Sequence, residues 1–185
     1  CIGGSGLGCR GLGDGYYNGS FVEKDREESA ELYTQACEQG SGAGCVNLAR
    51  QYEAGDGVEH NPTKAREHYK TGCDQSNGAG CRGLARMYLY GASTEYDKAK
   101  GEKFLQRGCN MGHDRSCYDL EQFHTSGVHK SPSFSDAADA LNAGCVAESI
   151  TACDRLANYY YLGYGTERDK EAGDGRADRD RRRRA

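Results

Sequence analysis

The chain has 185 residues and a formal net charge of −4, with 36% hydrophobic and 28% charged residues, ten Cys, 27 Gly and no Trp. Residues 176–185 carry six Arg and two Asp, which is +4 and leaves −8 on everything before them. An acidic body argues against a nucleic-acid-binding protein, and no stretch approaches the ~20 apolar residues of a membrane span. The low apolar content suits an elongated, cross-linked repeat protein better than a compact globule.

All ten cysteines fall into two columns that repeat with a fixed period. Seven residues separate Cys37 from Cys45, and every other pair has the same spacing and lies 36 residues from the next. A period in this range predicts stacked helical hairpins, because one hairpin cannot bury its own apolar face. The pairs are Cys1 and Cys9, Cys37 and Cys45, Cys73 and Cys81, Cys109 and Cys117, and Cys145 and Cys153.

The second Cys of each pair begins the first helix of a repeat. Leu48 stands three residues after Cys45, Tyr52 four residues further on, and Gly55 three beyond that. Spacings of three and four place the Cys, Leu and Tyr on one helix face, and the glycine ends the helix with a left-handed cap. In the second repeat this predicts a helix over about 43–54. The same columns hold Leu12, Leu84, Leu120 and Leu156, then Tyr16, Tyr88, His124 and Tyr160, then Gly19, Gly91, Gly127 and Gly163.

A short loop and a second helix complete each repeat. Asn61 supplies an N-cap oxygen, and Pro62 stands at the first helical position, which tolerates proline. The helix then runs to Cys73 with Tyr69 on its buried face. Asp25, Asp97 and Asp169 occupy the same capping column as Asn61.

The first Cys of a pair therefore ends one helix, and the second begins the next. A turn this short can bring the two Cα atoms to the ~5.5–6 Å that a disulfide requires, so we predict that all five pairs are bridged locally. Closing a loop of about nine residues stabilises the fold by roughly 2.5 kcal/mol in the chain-entropy model. Ten paired cysteines also indicate an oxidising compartment, and we expect a secreted or periplasmic protein.

Two repeats depart from the pattern. The fourth has Glu121 in place of a small residue, His124 in place of Tyr, and a polar loop over 130–133, so we expect its hairpin to pack most weakly. In the fifth, Lys170–Gly175 carries two glycines and no aromatic residue, so a second helix is not expected there. The sequence thus predicts a repeat region over residues 1–168 and a disordered, Arg-rich tail over 169–185.

Beginning at Ala36, the second repeat reads A-C-x7-C-x2-L-A-x2-Y-x2-G-x-G-V in one-letter code. This signature and its copies, which cover residues 1–168, resemble the Sel-1-like repeat proteins, and most of all the cysteine-rich branch typified by the Helicobacter cysteine-rich proteins. The resemblance implies an all-α fold, an α/α superhelical solenoid related to tetratricopeptide repeats, with one disulfide at each hairpin junction. Members of the family serve as adaptors, secreted host-interaction factors and assembly factors, which implies protein binding.

The resemblance also raises two alternatives. Cysteine-rich members have been described as penicillin-binding and labelled β-lactamase-type hydrolases, and serine β-lactamases use S-x-x-K, S-D-N and K-T-G together. Only the third occurs here, as Lys70-Thr71-Gly72, so the residues favour a protein that is not an enzyme. A related branch of the mitochondrial intermembrane space, linked to respiratory-complex assembly, also carries paired cysteines. Structural zinc sites need C-x2–4-C pairs, and the sequence has none, so no metal or other cofactor is expected.

The outward face of the first helix in each repeat is the candidate binding surface, because in such superhelices it lines the concave side, where extended peptides lie. Arg50 and Arg86 would form a positive strip on an acidic body, beside Asn47, with Gly83 leaving room for a bound backbone. We expect a monomeric adaptor that binds a peptide or partner protein in this groove, the alternative for each residue being an ordinary solvated helix face. The candidate residues are Asn47, Arg50, Arg86, Asp119, Gln122, Arg155 and Asn158.

Overall fold

The computed structural model describes residues 5–91, 95–128, 131–167 and 169. Within them the chain forms nine helices and no strand, which confirms the all-α expectation. The predicted helices over about 43–54 and from Pro62 to Cys73 are both found, the second ending one residue later. The helices are α1 (Gly6–Asn18), α2 (Arg26–Glu38), α3 (Gly42–Ala54), α4 (Pro62–Asp74), α5 (Gly78–Tyr90), α6 (Lys98–Cys109), α7 (Asp114–Thr125), α8 (Phe134–Val146) and α9 (Ile150–Leu162).

The helix ends are set by local chemistry, as the sequence predicts. The Asp25 side chain accepts hydrogen bonds from the backbone amides of Glu27 and Glu28, and Asn61 accepts one from that of Lys64. These side chains satisfy amide groups that the first turn of a helix leaves without intrahelical partners. At the C-termini, left-handed glycines end four of the helices that begin a repeat, namely Gly19, Gly55, Gly91 and Gly163, with φ between 67° and 76°.

The chain divides into two compact units, Cys1–Asp97, which contains α1 to α5, and Lys98–Ala185, which contains α6 to α9. We call them unit 1 and unit 2. In each unit every helix packs against the next helix in the sequence, and the helices that begin successive repeats also touch, as α1 with α3, α3 with α5 and α7 with α9. Contacts limited to near neighbours are typical of repeat proteins.

Disulfides join the helices of successive repeats. Cys37–Cys45, Cys73–Cys81, Cys109–Cys117 and Cys145–Cys153 are bonded, with Cα atoms 4.5 to 4.6 Å apart. Cys9 is also disulfide-bonded, and its predicted partner, Cys1, lies outside the described residues. Four of the five predicted pairs are therefore confirmed directly.

The leucine column forms the core of the repeats. Leu48, Leu84, Leu120 and Leu156 are between 0% and 2% exposed, and burying a leucine side chain stabilises a fold by roughly 1.5–3 kcal/mol. Leu12 differs, with 41% of its surface exposed, because within the described residues no helix precedes α1 to cover it.

The turns that join successive repeats contain a left-handed residue that the sequence analysis did not anticipate. This residue stands three positions after the first Cys of each pair. Its backbone angle φ is 82° at Gly40, 59° at Ser76, 72° at Gly112 and 66° at Glu148. Glycine adopts this conformation readily, whereas other residues pay a steric cost there. The short turn between the two cysteines thus requires a positive φ, which suits the two glycines but not Ser76 and Glu148.

Candidate functional site

Three polar side chains join the first three helices of unit 1. The Tyr33 hydroxyl on α2 donates a hydrogen bond of 2.7 Å to Asp14 Oδ1 on α1, and Asn47 Nδ2 on α3 donates one of 3.0 Å to the same oxygen. Arg10 donates to the other carboxylate oxygen at 3.0 Å. Burial and the hydrogen bond to Asp14 raise the pKa of Tyr33, so its hydroxyl stays protonated. Asn47, predicted to contact ligand, therefore uses one of the two N–H donors of its NH2 group on Asp14.

A cleft opens beside this cluster, and we call it the Gln51 cleft. Its volume is about 260 Å³, which is enough for several waters or one small organic group. It lies among α1, α2 and α3, so it belongs entirely to unit 1. Its lining residues are Asp14, Tyr17, Asn18, Tyr33, Asn47, Arg50 and Gln51.

Arg50 and Arg86, on α3 and α5, are both exposed, and the charges of both act on one tyrosine, Tyr69 of α4. The Tyr69 hydroxyl on α4 donates a hydrogen bond of 2.6 Å to Glu53 Oε2. Burial and this hydrogen bond raise the pKa of Tyr69, while the charges of Arg50 and Arg86 act in the opposite direction.

Gly83 has a different role from the expected one. A Cβ atom at this position would overlap the ring of Tyr69. The space above the glycine is therefore filled by the protein's own aromatic side chain, and the expectation that it leaves room for a bound backbone is wrong. The absence of a side chain at Gly83 instead allows Tyr69 of α4 to pack closely against α5.

In unit 2 the candidate residues are placed less uniformly. Asp119 and Gln122 on α7 are half-buried, and Asn158 on α9 is exposed. Arg155 on α9 is directed inward, where its Nε forms an ion pair with Glu121 Oε2 and its guanidinium lies 4.9 Å from the ring centre of Tyr118. The structure thus gives Arg155 a partner inside unit 2.

Glu121 is the centre of this internal cluster. It is 4% exposed, and it accepts hydrogen bonds from Arg155 and, at 3.0 Å, from the Tyr159 hydroxyl. The hydrogen bond to Glu121 raises the pKa of Arg155, so the guanidinium stays protonated. Sequence reasoning treated Glu121 only as a packing fault and missed this network. The sequence did contain one signal for it. Arg155, 34 residues after Glu121, stands in a column that holds Gly, Asn or Asp in the other repeats.

His124, the other unusual residue of the fourth repeat, is also buried, with 4% exposure. Its ring lies between two carboxylates, with Nε2 3.6 Å from Glu102 Oε1 on α6 and Nδ1 3.9 Å from Asp136 Oδ2 on α8. It occupies the tyrosine column, so the fourth repeat replaces a tyrosine by an imidazole flanked by acidic groups.

The remaining candidate motifs have structural positions. Lys70-Thr71-Gly72 lies in the last turns of α4, where Lys70 pairs with Asp74 at 2.7 Å and Gly72 is buried. Among the described residues, no group of three or more His, Cys, Asp or Glu side chains is placed to hold a metal ion. Over the same residues, none of the helices has the length and apolarity needed to cross a bilayer.

Paired antiparallel helices, a 36-residue period and a disulfide at each junction define an α/α repeat protein. The sequence model of the Sel1 repeat matches residues 6–41, 42–77, 78–113 and 150–173. The chain therefore belongs to the Sel1 repeat family. The matched ranges leave out residues 114–149, the stretch that holds Glu121 and His124. No relative is found by sequence among the curated proteins.

Solved structures with the same fold come from several bacteria. The protective antigen c5321 of uropathogenic Escherichia coli superimposes with a TM-score of 0.73 at 19% identity over 96% of this chain, which spans 38% of the antigen. A Sel1 repeat protein of Oxalobacter formigenes gives 0.70 at 21% identity, covering 96% of this chain and 73% of that one. Helicobacter pylori cysteine-rich protein B gives 0.54 at 23% identity, covering 62% and 89%. At such identities the likeness shows the fold alone.

Family membership gives a coarse function. The Sel1 repeat fold is typical of protein–protein interaction scaffolds, and the family is generally non-enzymatic. Both statements agree with the sequence-based expectation of a binding protein.

Proposed function

We propose that this chain is an extracytoplasmic adaptor that binds an extended peptide, or an extended segment of a partner protein, along one face of unit 1. We call this surface the α1/α3/α5 face and define it by Asp14, Asn47, Arg50 and Arg86. The observation that carries the proposal is the placement of two exposed arginines on the neighbouring helices α3 and α5, one of them lining the Gln51 cleft.

Charge supports this face as the binding surface. The chain before residue 176 carries a net −8, so two adjacent guanidinium groups create a local positive strip in an acidic protein. Such a strip attracts carboxylates and peptide carbonyl groups and offers several N–H donors with fixed geometry. The neighbouring Asn47 and Arg50 are already aligned, since Arg50 donates to Asn47 Oδ1 at 3.4 Å.

The disulfides support an extracytoplasmic location. Four described pairs are bonded at the helix junctions, and such bonds persist in secreted and periplasmic proteins, whereas the cytosol keeps thiols reduced. We further propose that the adaptor is a monomer with repeats over residues 1–168; the predicted Arg-rich tail over 169–185 lies, apart from Asp169, outside the described residues. Mass spectrometry of the native protein after alkylation without a reductant should find all ten cysteines unlabelled.

Binding can be tested with a random 12-residue peptide display library panned on the immobilised protein. The affinity of synthetic copies of the selected peptides is then measured by fluorescence anisotropy. The double variant Arg50→Ala/Arg86→Ala should weaken binding by about 1–3 kcal/mol, because each guanidinium contributes a charge-assisted hydrogen bond. Its melting temperature should barely change, since both side chains are exposed.

A charge-matched control separates a specific face from general electrostatics. Lys64→Ala/Lys70→Ala removes the same two positive charges from exposed positions on α4, away from the α1/α3/α5 face. It should leave peptide affinity within about twofold of the unsubstituted protein. Equal affinity of the selected peptides for the arginine variant and the unsubstituted protein would refute the proposed face, as would an equal loss in both double variants.

A further inference from the structure

An open groove lies in unit 1 between α2, the second half of α3 and the loop that follows α3. Its volume is about 300 Å³, roughly ten times the space that one water molecule occupies in the liquid. Its lining includes four residues of one apolar cluster and two carboxylates of α2, namely Ala30, Leu48, Tyr52, Val58, Glu27 and Glu31. We call it the α2/α3 groove and define it by these residues.

A small residue on α2 leaves space for this groove. Ala30 lines it, whereas the same repeat position holds the longer side chains of Arg66 on α4 and Glu102 on α6. The loop wall is tied to α2, because Arg26 forms an ion pair with Asp56. The groove is therefore formed by the folded protein before a ligand binds, which lowers the cost of ordering on binding.

The groove is acidic. Glu27 and Glu31 stand one helical turn apart and are both exposed, and in the part of the chain that the structure describes neither forms an ion pair. Residues 23–31 and 55–61, which include the α2 wall and the loop, carry seven acidic and two basic residues, a net charge of −5. Tyr52 adds the negative face of its ring, and Lys64 Nζ already lies 5.2 Å from the ring centre. The groove therefore favours a positively charged ligand.

Charge alone holds such a ligand weakly, since an exposed ion pair contributes little free energy. Lysine and arginine side chains add a second contribution, because they bury a long aliphatic stem on apolar surface and keep the charged end in water. Tyr52 and Val58 are half-buried, so part of their surface is open to such a stem. The groove thus matches a cation with an apolar body and not a compact inorganic ion.

We propose that the α2/α3 groove binds an arginine or lysine side chain of a partner protein, in a segment where apolar residues flank the basic one. The charged end pairs with Glu27 and Glu31. The aliphatic stem and a flanking apolar side chain cover Tyr52 and Val58.

This inference goes beyond the proposed function, because it gives the chain a second binding surface of opposite charge. On α3, Leu48 and Tyr52 stand roughly opposite Asn47 and Arg50, since each residue turns the helix by about 100°. The α1/α3/α5 face and the α2/α3 groove therefore use different sides of the same helix, and one chain can join two partners.

Short synthetic peptides test the groove on the full chain. The probes are acetylated and amidated pentapeptides Ala-Leu-Xaa-Leu-Ala with arginine, lysine or citrulline as Xaa, citrulline being the neutral counterpart of arginine. Titrations followed by ¹H–¹⁵N NMR should give saturable shifts at the backbone amide signals of Glu31 and Val58 with at least one cationic peptide. The tighter of the two identifies the preferred side chain, and the citrulline peptide should bind at least fivefold more weakly. Equal binding of the citrulline peptide, or no saturable shift with either cationic peptide, would overturn the proposal.

Substitutions on α2 locate the bound peptide. Glu27→Gln/Glu31→Gln should weaken binding of the cationic peptide about fivefold by removing both ion pairs. Glu28→Gln/Glu38→Gln removes the same charge from exposed positions of α2 outside the groove and should leave affinity within about twofold. Ala30→Arg gives α2 the residue type that α4 has at this position and should abolish the shifts by filling the groove. An equal loss in both double variants, or undiminished binding by a folded Ala30→Arg protein, would show that the peptide is not held in the groove.

The chain's own C-terminal arginines are a competing occupant. Replacing residues 181–184 by alanine should leave the affinity for the arginine pentapeptide within about threefold, because a partner protein and not this segment fills the groove. A gain of tenfold or more would show that these arginines compete for the groove, which would overturn the assignment to a partner.

The groove and the adaptor face stand or fail separately. Arg50→Ala/Arg86→Ala should not weaken binding of the arginine pentapeptide, and Glu27→Gln/Glu31→Gln should leave the affinity of the display-selected peptides within about twofold. The unsubstituted protein should bind both kinds of peptide at once. Loss of pentapeptide binding in Arg50→Ala/Arg86→Ala would place that peptide on the α1/α3/α5 face, which would overturn the groove assignment and leave the proposed function intact.

Discussion

The hairpin α3–α4 in unit 1 and the hairpin α7–α8 in unit 2 are built on the same pattern with different interiors. Four residues after the second Cys, α3 has Ala49, which is fully buried, whereas α7 has Glu121, which is 4% exposed. Three residues further on, α3 has the half-buried Tyr52 and α7 has the buried His124. Both helices nevertheless carry the second Cys of a disulfide in their first turns and bury their leucine.

The comparison shows which features the repeat needs. The disulfide, the buried leucine and a side-chain N-cap on each helix are common to both hairpins. A carboxylate can replace the small residue when the next repeat supplies an arginine and a tyrosine hydroxyl to hold it. At this position α3 thus packs closely through a small residue, while α7 relies on a buried ionic network whose members depend on each other.

The largest expected effect comes from breaking that network. Arg155→Met should lower the free energy of unfolding by about 3 kcal/mol, because it leaves the buried Glu121 carboxylate without its counter-charge. Arg50→Met, the matched change at an exposed arginine of unit 1, should cost less than about 0.5 kcal/mol. Denaturant unfolding of both variants measures the contrast.

A rescue experiment controls for general disruption of unit 2. Glu121→Ala/Arg155→Met restores the alanine that α3 and α5 have in this column, as Ala49 and Ala85. It should recover most of the stability lost in Arg155→Met. A double variant as unstable as the single one would show that Arg155 contributes through packing and not through its charge.

Individual disulfides should also differ between a buried pair of unit 1 and the last pair of unit 2. Cys73 and Cys81 in unit 1 are fully buried, whereas in unit 2 Cys153 is 8% exposed and Cys145 is half-buried. Under a mild reductant, Cys145–Cys153 should therefore open first, and timed alkylation with peptide mapping will show the order. Replacing either pair by alanine should cost roughly 2.5 kcal/mol, because both bonds close loops of the same length. First opening of Cys73–Cys81 would contradict the exposure argument.

A smaller effect, this time a gain in stability, is expected from replacing a left-handed turn residue by glycine, at one position in each unit. Ser76→Gly and Glu148→Gly should each raise stability by about 0.5–1 kcal/mol, because glycine lacks the Cβ that makes this conformation costly. Gly40→Ala is the reverse change in the same turn, where an added Cβ meets no other atom, so it should destabilise by a similar amount. Thermal unfolding is the measurement, and a gain on Gly40→Ala would refute the backbone explanation.

The smallest effect concerns His68, whose ring stacks on Tyr52 in unit 1 at a centroid distance of 5.4 Å. Burial lowers the pKa of His68 below 6.5, so the folded state binds fewer protons than the unfolded state in this range. Stability should therefore fall as the pH drops below about 6.5 and should level off below the folded-state pKa. His68→Phe should remove this part of the pH dependence, and an unchanged profile would contradict the assignment.

Much of the fold was predictable because its determinants are local. The spacing from Cys45 to Leu48 and Tyr52 follows the helical period, and Asn61 caps a helix through atoms three residues away. The disulfides could be predicted as well, since a short turn forces the two cysteines together. For these features the chain geometry leaves few alternatives.

Other features depend on packing between helices and were decided only by the tertiary structure. Glu121 and Arg155 are 34 residues apart, and their contact depends on how α7 and α9 meet. The same is true of Tyr69, whose ring fills the space above Gly83. The Gln51 cleft likewise depends on how three helices meet, because α1, α2 and α3 all line it. Sequence spacing fixes which face of a helix a residue occupies, but side-chain rotamers and the approach of neighbouring helices determine what it touches.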